Sequence, residues 1–155
     1  MKQEEKGESK VETKKEEQKA YGSKHKIDKL RCHSNFEVKF HNRRIKSLKE
    51  GPKWAYILPT IEENTVETFK IKILSCKDER ADCVIGVTCE TYEKSFEKWI
   101  GKYDNDFGYN LINGNKSNSN DWVPYGKPAS KGDIIECKVD WVRGTVEFFK
   151  NDKSL

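Results

Sequence analysis

Apolar and polar residues alternate along most of this chain in short runs, and the period of the alternation is two. Phe36, Val38 and Phe40 are separated by Glu37 and Lys39, the signature of a strand with one face buried. The pattern predicts a strand over 36–40, a polar turn at His41 to Arg43, and a partner strand through Ile45 and Leu48. Gly51-Pro52 breaks the chain before a strand over 54–58, and 59–64 reads as a loop. From Val66 to Leu74 the alternation returns, with Phe69, Ile71 and Ile73 on one face and Lys70 and Lys72 on the other. Cys83 to Cys89 is more continuously apolar, which predicts a strand covered on both faces. Tyr92 to Ile100 mixes aromatics with charges and reads as a loop or a short turn of helix. Gly, Asn, Asp, Ser and Pro dominate 101–132, with one strand expected inside it at 107–112. Lys131-Gly132-Asp133 is a turn signal before a strand over 134–139, and 141–149 reads as a hairpin turning near Arg143-Gly144. No stretch of helical length carries a 3.6-residue apolar period. Many short strands punctuated by turns predict an all-β antiparallel sandwich of two sheets.

Composition adds a boundary. Met1 to Ala20 holds six Lys and six Glu against three apolar residues. Such a segment cannot bury enough surface to offset the entropy of ordering it. Residues 1–28 are therefore expected to be a disordered charged tail, or at most a transient helix held by Glu–Lys pairs. Residues 29–155 are expected to form the sandwich domain.

The tail's charges cancel, so the net charge of +4 arises largely from the rest of the chain. Its densest basic stretch is His41-Asn42-Arg43-Arg44 with Lys46 and Lys49. Elsewhere the two signs interleave, without the basic stripe and aromatics that nucleic-acid binding favours. No signal-peptide pattern opens the chain and no apolar run approaches the length of a membrane span. Five cysteines, an odd number in a chain without export signals, read as free thiols in a reducing compartment. The cytoplasm is the expected location, with the nucleus as the alternative.

Motifs for catalysis or ligand chemistry do not stand out. His25, His33 and His41 fall in the tail or early loops, and no Ser or Cys stands in a nucleophile motif. Cys76, Cys83 and Cys89 lack the paired Cys-x-x-Cys spacing of a zinc site, and Cys83 and Cys89 read as small hydrophobes in a strand. Gly108 to Ser117 fails the phosphate-loop pattern in glycine spacing and in lacking Gly-Lys. Asp104, Asp106 and Asp121 read as residues of a solvated loop. No cofactor, no metal and no enzymatic activity are expected.

The C-terminal third carries a family likeness. Tyr125-Gly126, Lys131-Gly132-Asp133-Ile134-Ile135, Val139-Asp140, and Gly144-Thr145-Val146-Glu147-Phe148-Phe149-Lys150-Asn151 follow one another in the order and spacing of the SPRY domain family. Upstream, Ile85-Gly86-Val87, Ile100-Gly101 and Phe107-Gly108-Tyr109 resemble further elements of that family. The resemblance runs from about Phe36 to Leu155. It implies a concanavalin A-like jelly-roll sandwich that serves as a protein-recognition module, gripping a peptide or protein partner through loops at one end. Asn151-Asp152 stands where the family usually has Asn-Gly, a change Asp tolerates because it can adopt the left-handed conformation. The family also continues past the point where this chain stops. The resemblance therefore implies missing last strands, with an unpaired edge and exposed apolar surface.

Carried onto this sequence, the partner-binding positions are Arg43 and Arg44, after the first strand, and Phe96 and Trp99, before the Ile-Gly element. Arginine supplies bidentate hydrogen bonds to carboxylates, and aromatics anchor interfaces. Phe96 and Trp99 either anchor a partner or pack under their own loop. Trp122 and Tyr125 are further nominees, and Tyr125 has the alternative role of holding its turn. Trp54, Trp141, Phe148 and Phe149 fall in predicted strands and are assigned to the core. The competing functional reading is a nucleic-acid-associated module using the Arg43/Arg44 loop.

Overall fold

A computed structural model describes residues 24–42, 44–48, 55–58, 60–75, 83–88, 100–101, 106–119 and 121–155. Among them every regular element is a strand, and no helix is long and apolar enough to cross a membrane. The chain divides into two compact units, one ending at Thr60 and the other spanning Ile61–Leu155.

The first unit holds two antiparallel pairs. Strand β1 (Lys26–Cys32) pairs with β4 (Ala55–Leu58), and β2 (Phe36–Lys39) pairs with β3 (Arg44–Ser47). Strand β1 is not legible in the sequence, because Ile27 and Asp28 are adjacent and both buried, which breaks the alternation. Phe40, expected as the last residue of the first strand, instead opens the turn.

The second unit is built from two four-stranded antiparallel sheets. One has the order β12 (Lys153–Ser154), β11 (Thr145–Lys150), β10 (Ile134–Asp140), β5 (Val66–Lys72). The other runs β6 (Val84–Thr88), β7 (Asp106–Asn110), β8 (Asn115–Asn118), β9 (Asp121–Pro124). Their facing sides share one core. Ile135, Cys137 and Val139 of β10 and Phe148 of β11 meet Tyr109 of β7, with Leu111 and Ile73 closing the ends. Period two puts these residues inward and sets Glu136 and Lys138 outward, where Glu136 pairs with Lys70 at 2.6 Å and Lys138 with Glu147 at 3.8 Å. In the core, Tyr109 stacks on Phe148 with ring centroids 5.4 Å apart. Its hydroxyl donates to the Lys127 carbonyl at 2.5 Å, which satisfies the polar end of a buried ring. Burial pushes the Cys137 thiol up to about 12, so it stays protonated and packs as a small hydrophobe.

The turns explain the motif residues. Between β10 and β11, the Asp140 carboxylate accepts the Arg143 N–H at 3.0 Å and Gly144 takes φ +64°. This four-residue turn places Trp141 outside the strand, 41% exposed, so its assignment to the core was wrong. Asn151 and Asp152 take φ +52° and +61°, the two left-handed residues that a tight hairpin of this twist requires.

The two halves of the Gly-Asp and Lys-Asn motif meet in space. Lys150 Nζ lies 2.8 Å from the Asp133 carboxylate and donates to the Pro128 carbonyl at 2.6 Å. Asn151 donates to Asp133 at 2.9 Å and accepts the Ile134 N–H at 2.9 Å. Hydrogen bonds from Lys150 first, then from Asn151 and the Ser130 N–H, hold the Asp133 carboxyl down to about 2. A depressed carboxylate contributes its stability in full above its unfolded value, near pH 4, and loses it as pH falls towards the folded value. Asp133→Asn should therefore cost about 1–2 kcal/mol at neutral pH. Denaturant titrations should show the gap to the native chain closing between about pH 4 and pH 2; a gap constant across that window would contradict the network.

The region 101–132 departs most from expectation. Among the described residues it holds three strands where one was expected. Asp106 is no loop residue: it opens β7 fully buried, accepting the Thr88 hydroxyl at 2.6 Å. Asp121 opens β9, exposed as expected, and Asp104 lies outside the described residues. Cys83 is also exposed, just ahead of β6 and not within it, so it is not the strand hydrophobe expected.

Candidate functional site

Of the six nominated partner-binding residues, Arg44, Trp122 and Tyr125 are described; Arg43, Phe96 and Trp99 lie outside the described residues, as does Trp54. Arg44 belongs to the first unit, and Trp122 and Tyr125 to the second.

Tyr125 is committed to packing. Its ring makes edge contacts with Tyr109 and Phe148 at centroid distances of 6.2 and 6.4 Å, and its hydroxyl accepts the Phe148 N–H at 3.4 Å. Lys116 Nζ sits 4.3 Å from the ring centroid. Trp122 is half-buried in β9, at the end of a cross-strand row formed by Gly86, Gly108, Ser117 and Trp122. Ile100 and Gly101 cross that row, and the Ser117 hydroxyl donates to the Gly101 carbonyl at 2.7 Å. A Cβ at Gly108 would meet the Ile100 carbonyl, and one at Gly86 would meet the Phe107 carbonyl of β7 and the Ile100 side chain, so neither position has room for one.

The β2–β3 ribbon has a different character. Its loop carries three successive residues in the left-handed region, Phe40 (φ +53°), His41 (+54°) and Asn42 (+65°). For a bulky residue such as Phe40 that conformation is costly and persists only where the surroundings fix it. One tether is visible: the Asn42 carbonyl accepts the N–H of buried Ile27 at 2.7 Å. The strained turn leaves Phe40 38% exposed, with the Arg44 guanidinium carbon 5.3 Å from its ring centroid.

Register puts Lys39 directly opposite Arg44 and Glu37 opposite Lys46, all four on one face of the ribbon. Directly opposed like charges destabilise a ladder. One carboxylate sits among three cations: Glu37 meets Lys39 at 2.9 Å. The hydrogen bond from Lys39, then the charges of Lys39, Lys46 and Arg44, hold the Glu37 carboxyl below its ordinary value. An open groove of about 480 Å³ borders this loop, lined by Lys26 and Lys29 of β1 and by Lys39, Phe40 and Asn42. Among the described residues no group of three or more His, Cys, Asp or Glu is placed to hold a metal.

Sequence reasoning nominated Arg44 through the family likeness. It missed Phe40, which alternation assigned to a buried face, and Lys26 and Lys29, which it assigned in part to the tail. The run of basic residues around 39–46 was the available signal.

Comparison with known proteins agrees with the architecture. No curated protein matches the sequence. A human SPRY domain crystal structure superposes with a TM-score of 0.63 at 17% identity, covering 79% of this chain and 78% of that one. The SPRY domain of human HERC1 gives a TM-score of 0.60 at 18% identity, covering 82% and 76% respectively. At these identities the likeness is one of fold. The SPRY domain family model matches residues 66–155, from the first residue of β5 to the end of the chain and more than half its length. The chain belongs to the SPRY domain family.

Proposed function

We propose that this chain is a non-catalytic protein-recognition module that grips a peptide or protein partner with the β2–β3 ribbon and its loop. SPRY domains are generally protein-interaction modules, which supports the class of function. The observation that carries the choice of surface is the left-handed run Phe40–Asn42, which holds an aromatic ring exposed beneath an arginine. A left-handed run at Phe40 costs stability, and backbone strain of this kind clusters at binding sites. Exposed aromatics and arginines are also the residue types that dominate interface energetics. Trp122 is a separate aromatic nominee on the β6–β9 sheet. Arg43, Phe96 and Trp99 remain nominations from the family resemblance. The free thiols of Cys32 and Cys137 support a reducing compartment, the cytoplasm or nucleus, which the distribution of a fluorescent fusion would check.

The test is selection from a displayed peptide library with the native chain and with a Phe40→Ala, Arg44→Ala version of matched thermal stability. Peptides enriched by the native chain should bind the double variant at least tenfold more weakly. Peptides that bind both equally would move the site elsewhere, and a folded chain that enriches none would sink peptide recognition.

A further inference from the structure

The ribbon is built against its own stability in a second respect, beyond the strained turn. Lys39 and Arg44 face each other across the ladder and Lys46 follows on the same face, with Glu37 as the single anion on that face among the described residues. Lys26 and Lys29 add two more exposed cations along the bordering groove. Asp28, the acidic residue of β1, is buried. Lys26 and Lys29 thus line the groove together with Lys39, and on the ribbon face itself, among the described residues, three cations stand around one carboxylate. It is held by Lys39 at 2.9 Å, so the cluster already binds one carboxylate, from within the chain.

Resting on the recognition role proposed above, we infer that this surface takes a short acidic peptide segment, whose carboxylates engage Lys26, Lys29, Lys39 and Arg44 and whose apolar contact is the exposed ring of Phe40. Three features favour a peptide over a nucleic acid. The strands of the ribbon are four residues long, about 13 Å of extended chain, which suits a few peptide residues better than a phosphate backbone read over many. Glu37 stands within the cluster, where it repels a continuous line of phosphates but leaves single carboxylates free to alternate around it. The cation–π contact fixes the Arg44 guanidinium before the ligand arrives, so less side-chain freedom is lost on binding to a carboxylate.

Glu37 is then an internal competitor for the site. Removing it should strengthen binding, an outcome that a merely structural role for Glu37 would not produce.

The experiment uses fluorescence anisotropy on the full chain with three labelled probes: a peptide alternating Asp or Glu with Gly and Ser, the same peptide with Asn and Gln in place of its acids, and a single-stranded oligonucleotide. The acidic peptide should bind at least tenfold tighter than its neutral counterpart. Arg44→Gln and Lys39→Gln should each weaken it about three- to tenfold, and Glu37→Gln should tighten it. All variants are compared at equal folded fraction by circular dichroism. Preferential binding of the oligonucleotide would overturn the inference in favour of nucleic acid. Failure of the acidic peptide, where neutral peptides from the display selection still bind at Phe40 and Arg44, would overturn the charge assignment and leave the recognition role standing. Acidic-peptide binding indifferent to all three substitutions would place the site elsewhere and overturn the inference.

Discussion

Gly86→Ala should lower the unfolding free energy by about 3 kcal/mol or more, at the upper end of what overpacking costs. A Cβ at Gly86 would stand inside the van der Waals envelope of the Phe107 carbonyl oxygen and 2.8 Å from Ile100 Cγ2. The oxygen belongs to the neighbouring strand's backbone and cannot rotate away. Relief requires β6 and β7 to part, at the expense of the ladder hydrogen bonds between them. Gly144 is the control: it takes φ +64° in the β10–β11 turn, and a Cβ there would meet nothing within 4 Å. Gly144→Ala should cost only the left-handed penalty of about 1 kcal/mol. Urea denaturation of the two variants checks the contrast. Equal effects would mean that β6 and β7 do not approach each other at Gly86 as closely as described.

Phe148→Ala should cost about 3–5 kcal/mol. The ring is 3% exposed, stacks on Tyr109, meets Tyr125 edge-on, and sits opposite Cys137 in the β10–β11 ladder. Its removal opens a cavity between the two sheets that neighbouring Val146, Phe69 and Ile71 cannot fill from their own strand positions. Small domains hold a net stability of about 5–15 kcal/mol, so the variant should lose much of its cooperative transition. Phe149 points the other way, half-buried beside Glu136, and Phe149→Ala should cost well under half as much. A comparable loss at both positions would contradict the inward alternation on which the sandwich rests.

These expectations mark where the sequence was readable. Strands β5, β10 and β11 were legible because one face packs on the core and the other meets water, so burial writes itself into period two. Strands β8 and β9 were not. Asn115–Asn118 is entirely polar, and Ser117 is buried through its hydrogen bond to Gly101 and not through hydrophobicity. Asp106 escaped for the same reason. Trp141 misled in the opposite direction: a large apolar residue beside a strand suggested core, while the Asp140 cap ends the strand one residue earlier. At the candidate site, Arg44 was nominated from the family resemblance. Phe40 was not, since a left-handed backbone at a phenylalanine leaves no trace in an alternation pattern. The tight turns were readable because Gly144 and Asn151-Asp152 are residue types that tolerate positive φ.

Recognition at the β2–β3 ribbon is the central claim. An amide NMR titration of the full chain with a peptide taken from the display selection tests it most directly. Saturable shifts should concentrate at Lys26, Lys29, Lys39 to Asn42 and Arg44, with the β10–β11 hairpin at Trp141 and Val142 unmoved. Shifts at that exposed hairpin with none in the ribbon would contradict it.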